Sequence, residues 1–146
     1  MRSVLPAALA LALLALAPPS ATGAALCPSL ANVAAAPPEL QGKIATAFAI
    51  PLEAARGAVV RCVGVKLMAC VPGANLNCGE ADPRRSLPGA TAWCRSNPNS
   101  DFIPMYATGH ATIFNWRCAG GEAVPGKTVV RVDGQGFFAE NWREIR

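Results

Sequence analysis

The chain has one histidine, His110, and one tyrosine, Tyr106, among 146 residues. It has no C-x-x-C pair, no G-x-S-x-G elbow, no G-x-G-x-x-G turn and no basic run interleaved with aromatics. Each absence removes a class of chemistry. A single histidine and no close cysteine pair argue against a zinc site, so no metal ligand is expected. The missing C-x-x-C argues against a thioredoxin-like redox centre. Without a basic run there is no electrostatic track for a phosphate backbone, and no nucleic-acid partner is expected; Arg84-Arg85 is the only basic doublet. The nine acids are scattered. Glu80 and Asp82 are close in sequence but precede Pro83 in turn-like context, where Asp serves local hydrogen bonding; a glycosidase pair, about 5–9.5 Å apart, has no signal here. One motif matches literally: Gly121–Thr128 spells G-x-x-x-x-G-K-T. It carries an internal proline and precedes a strand-like rather than a helix-like run, so it reads as a hairpin connection and not a phosphate loop. No cofactor is expected.

Cysteine, by contrast, is plentiful. Met1-Arg2, the apolar run AALALALLALA (7–17) and the small residues of PPSATGAA form the three regions of a secretory signal, with the cut expected near Ala24 or Ala25. Eleven apolar residues fall well short of the roughly 20 that a spanning helix needs, so residues 1–25 are expected to be removed, leaving no integral membrane segment. Leu26 before Cys27 argues against lipidation. The remaining residues, 26–146, make one domain of periplasmic or secreted location, with a net charge of about +3 once Arg2 is gone. All six cysteines, Cys27, Cys62, Cys70, Cys78, Cys94 and Cys118, lie in that part. An even count in a small exported domain reads as three disulfides. Six cysteines allow fifteen pairings; only Cys70 and Cys78, flanking the turn-like VPGANLN, suggest a local bridge. If all six pair, no thiol nucleophile is left.

The fold class read from the pattern is α+β: an N-terminal helical segment and a small antiparallel sheet stapled by disulfides. PPELQGKIATAFAI has Pro38 and Glu39 suited to a first turn, and Leu40, Ile44 and Phe48 make one apolar stripe. PLEAARG predicts a second helical turn. AVVRCVGVKLMACV predicts two strands, about 58–62 and 65–71, turning at Val63-Gly64. Residues 72–90 read as loop, and PGATAWCRSN as a helix from Pro88 to the Asn97-Pro98 stop. The segment PNSDFIPMYATGH reads as loop, interrupted by Pro104. ATIFNWRC alternates, with Phe114, Trp116 and Cys118 on one face and Asn115 and Arg117 on the other. Gly120-Gly121 predicts a turn, KTVVRV a strand, DGQG a turn and FFAENW a last strand. VVRCVGVK and NWRCAGGE share Arg-Cys-x-Gly before a turn, an echo of one hairpin design.

The expected contact surface is the long Asp101–His110 loop with the polar face of the 112–118 strand: Asp101, Tyr106, His110, Asn115 and Arg117. Phe102 and the tryptophans Trp93, Trp116 and Trp142 are further contact candidates, although Trp93 and Trp116 are expected in the core. A hydrolase using His110 requires a hydroxyl or carboxylate within its hydrogen-bond reach, and a triad with Ser86, Ser96 or Ser100 is decided by geometry alone. The strings CVGVKLMACVPGANLNCG, LPGATAWCRSNP, FIPMYATGHATIFNWRC and VVRVDGQGFFAENW resemble a group of small exported cysteine-rich proteins of alphaproteobacteria, over residues 57–143. The resemblance implies a bacterial periplasmic location and brings no activity. The expectation is therefore a non-enzymatic binding protein with a protein or envelope-component partner. A wall-hydrolase inhibitor is one such type, likened through its small size, export and strand–Cys–Gly turns. A structural or stress-related envelope protein without ligand and the His110 hydrolase are the alternatives.

Overall fold

A computed structural model describes Cys27 and residues 33–73 and 75–146. The expected signal segment lies outside the described residues. The chain is α+β, as its pattern predicts. Strand β1 (Ala34–Ala35) leads through a 3-10 turn, Pro38–Leu40, into helix α1 (Gln41–Phe48). The helix stops at Ala49, in the left-handed region at φ 53°, before Pro51 is reached. There the Ile50 N–H donates to the Ala45 carbonyl (3.0 Å) and the Ala49 N–H to that of Thr46 (3.2 Å), closing the helix end. A single turn, α2 (Leu52–Ala55), follows.

Strands β2 (Val59–Val63) and β3 (Lys66–Cys70) form an antiparallel hairpin. Its two-residue turn is Gly64-Val65, one residue later than predicted, because glycine is needed at the first central position, where φ is +60°. β1 pairs with β2, and the final strand β6 (Arg143–Glu144) pairs with β3, giving the order β1-β2-β3-β6. This sheet is covered on both faces, which is why its sequence reads as nearly continuous apolar residues. On one face Val60, Leu67 and Ala69 pack with Leu40, Ile44, Ala55 and Ile145. On the other, Cys70 packs with Cys78, Phe137 and Trp142.

The second half starts with helix α3 (Pro88–Ser96), within the predicted bounds, where Pro88 takes the first helical position. The 101–110 segment departs from the loop expectation: Pro104 opens a helical turn, α4 (Met105–Thr108), rather than breaking a strand. Strands β4 (Phe114–Ala119) and β5 (Glu122–Thr128) make a two-stranded sheet around Gly120-Gly121. β4 alternates as read, with Phe114, Trp116 and Cys118 buried. Its partner is earlier than predicted, since β5 contains Pro125. Trp116 pairs with Pro125 and Phe114 with Thr128, so a bulge falls between them, a position that tolerates proline. Residues 129–132 leave the sheet. The FFAENW strand is also not formed: Phe137 and Phe138 make single bridges to Glu80 and Val132, and Ala139–Asn141 is a 3-10 turn.

Three disulfides tie these parts: Cys27–Cys62, Cys70–Cys78 and Cys94–Cys118. The local bridge expected between Cys70 and Cys78 is one of them. Chain-entropy reasoning gives about 2.5 kcal/mol for the shortest loop and about 3.4 and 3.8 kcal/mol for the longer two, acting through the unfolded state.

Candidate functional site

A cleft of about 680 Å³ opens where the 101–110 segment faces the start of β4 and the 129–141 return. Its floor is apolar. Ile103, Phe114, Trp116 and Phe138 are each at least nine-tenths buried, and all four line it. Trp116 is held in place from within the site: its Nε1–H donates to Thr112 Oγ1 (2.8 Å), and Phe114 meets it edge-on with centroids 6.3 Å apart. Thr112 is anchored in turn, since Asp82 pairs with it in a parallel bridge. α4 is short, but it packs on α3 so closely that a Cβ at Gly89 would fall 2.8 Å from the Ala107 carbonyl oxygen. This contact accounts for a glycine in the first turn of α3 and fixes the segment carrying Asp101 and His110.

Three of the five residues expected at a contact surface, Asp101, His110 and Asn115, line this cleft. Tyr106 and Arg117 do not. Tyr106 is exposed on α4, where its hydroxyl accepts a hydrogen bond from Trp93 Nε1 (2.8 Å), and Arg117 lies on the exposed face of β4. Asn115 reaches the cleft at the bulge, which re-aims side chains locally. Its amide also occupies the space where a side chain on Gly126 would stand. The glycine of the Gly-Lys-Thr match therefore serves hairpin packing, inside strand β5.

Residues 129–141 and Asn75-Leu76 complete the cleft with Val129, Val130, Glu140 and Asn141. No local pattern marked these residues, since a chain return over long sequence distance brings them in.

His110 is exposed and makes no side-chain hydrogen bond to a hydroxyl or carboxylate among the described residues. None of the six cysteines is free. No group of three or more potential metal ligands occurs among the described residues, and no described helix is long and apolar enough to cross a membrane. Three disulfides fit an oxidising, extracellular or periplasmic setting.

Three perturbed carboxylates lie outside the cleft, among them Glu144, which a hydrogen bond from Lys66 holds below its ordinary range. At Asp82 the Arg84 guanidinium, through two-pronged hydrogen bonds, holds the carboxyl below its ordinary range against a smaller opposing effect of burial. At Asp133, burial pushes the carboxyl up, but the Phe137 N–H, the Arg61 guanidinium and the Gln135 N–H outweigh it and leave it lowered. That carboxylate belongs to a largely buried assembly, in which Arg61 sits in the corner between the rings of Phe137 (4.3 Å) and Trp142 (4.4 Å), which stand 80° to one another, and is bonded to Asp133 and Gln135. Trp142 is thus a core residue rather than a contact residue.

Comparison with family models, with curated proteins and with solved structures gives no match.

Proposed function

We propose that this chain is a non-enzymatic binding protein of the bacterial periplasm or extracellular space, one of the small exported cysteine-rich proteins of alphaproteobacteria, and that it meets a protein or envelope component at the cleft. The observation that carries this reading is the exposure of large apolar side chains there. Phe102 is 65% exposed, Val129 59% and Met105 49%. All three border a concave site with an aromatic floor, the arrangement expected of a contact surface. The inhibitor-like subtype predicts that the purified protein slows a lysozyme-like wall hydrolase in a cell-wall clearing assay.

The reading is tested with the oxidised, exported protein immobilised against envelope extracts. A saturable partner should be retained by the wild type and by Leu52→Ser, which removes an exposed leucine away from the cleft, and lost with Phe102→Ser/Met105→Ser. Equal retention by all three proteins contradicts the cleft as the contact site. Recovery of no saturable partner favours the envelope protein without ligand.

A further inference from the structure

The charge lining the cleft is opposite in sign to that of the whole chain. Lysine and arginine outnumber aspartate and glutamate 13 to 9, yet among the described residues no lysine or arginine lines the cleft, while Asp101 and Glu140 do. Both carboxylates are exposed at the rim, and neither forms an ion pair with a described residue. Arg85 rests on the Phe114 ring with its guanidinium carbon 4.7 Å from the centroid and is not among the lining residues. Below the rim the surface is aromatic and aliphatic, and aromatic faces attract cations. Its volume lies in the range of small-molecule sites, about 300–1,000 Å³.

We infer that what the partner seats in the cleft is an organic cationic group, with its apolar body on Trp116, Phe114 and Phe138 and an ammonium-type group at the rim carrying Asp101 and Glu140. This rests on the reading of the cleft as a binding site and adds the chemistry of what fills it. The positive net charge of the protein sharpens the expectation. Attraction by the molecule as a whole favours an anion, so preference for a cation has to come from the local lining.

The test uses three probes with the same apolar body: octylammonium chloride, 1-octanol and sodium octanoate. Each is titrated into the oxidised mature protein, with affinity read by calorimetry and location by amide NMR shifts. Octylammonium should bind tightest, perturb the amides of Asp101, Asn115 and Glu140, and lose about fivefold in affinity in Asp101→Asn/Glu140→Gln, with 1-octanol unaffected. Both substitutions are isosteric and on exposed positions, so the fold is kept. If 1-octanol or octanoate binds at the cleft as tightly as octylammonium, or the double variant leaves octylammonium unchanged, the cation inference is overturned while the cleft stands. If none of the three probes perturbs the cleft amides, the cation inference falls together with the cleft as a small-ligand site.

Discussion

Arg61 is 1% exposed, the one charged side chain buried among the described residues, and charge is costly to bury. Two aromatic faces, one carboxylate and one amide offset that cost. Asp133→Asn removes the compensating charge and keeps the shape. It should destabilise by about 1–3 kcal/mol, less than a fully buried pair because Asp133 is partly open to water. The same substitution should alter the acid limb of stability. The folded carboxyl titrates lower than the unfolded one. Its contribution is therefore complete above the unfolded value of about 4 and lost as pH falls through the folded value. Urea midpoints measured from neutral to acid pH should fall less steeply in the variant. Ala49 offers the opposite case. It holds a left-handed φ of 53° that costs an alanine about 1 kcal/mol relative to glycine. Ala49→Gly should raise the urea midpoint by a corresponding amount without altering the cleft.

At the level of elements, the two hairpins share the phase Arg-Cys-x-Gly but not its packing: β2 is covered on both faces, whereas β4 buries one face and exposes the other. In β2 the arginine is buried and Cys62 partly open; in β4 Arg117 is exposed and Cys118 buried. The motif marks the turn, while the sidedness is set by what packs against each strand. This limits what could be read in advance. The helices at Pro38 and Pro88, the β2–β3 pair and the alternation of β4 were legible, because caps, glycine turns and periodicity are local. Pro125 hid β5, since proline reads as a breaker until a bulge is seen. Pro104 hid α4, since the same residue that interrupts a strand can open a helical turn. Loop length and strand face single out Asp101, His110 and Asn115, which line the cleft, whereas Glu140 and Val129 reach it only through tertiary contacts. The α3–α4 contact yields a prediction at this scale. Gly89→Ala pushes against backbone, so it should cost about 1–3 kcal/mol in denaturant titrations and shift the amide resonances of 101–110.

At the scale of the whole molecule, burial among the described residues is divided among three small clusters, and each has a disulfide within or against it. Cys27 and Cys62 border the cluster around Ile44, Cys70 and Cys78 sit in that around Trp142, and Cys94 and Cys118 in that around Trp116. No cluster is large, so the covalent links should carry much of the margin. Alkylation of the exported protein without reduction should add no mass, and peptide mapping should return these three pairs. The intact mass also dates the expected cut near Ala24 or Ala25. Cys94→Ala/Cys118→Ala should lower stability by about 2–5 kcal/mol and release α3 from β4, which a fall in helix protection in hydrogen exchange would detect.

The placement of the three tryptophans has an optical consequence. Trp93 touches the Tyr106 hydroxyl at the surface, Trp116 lies under the cleft, and Trp142 stacks on the Arg61 guanidinium. Each indole therefore sits in a different neighbourhood with its own polarity. Variants that keep one tryptophan at a time would turn intrinsic emission into three separate local gauges, reporting loop 101–110, occupancy of the cleft and the state of the buried cation without any attached dye.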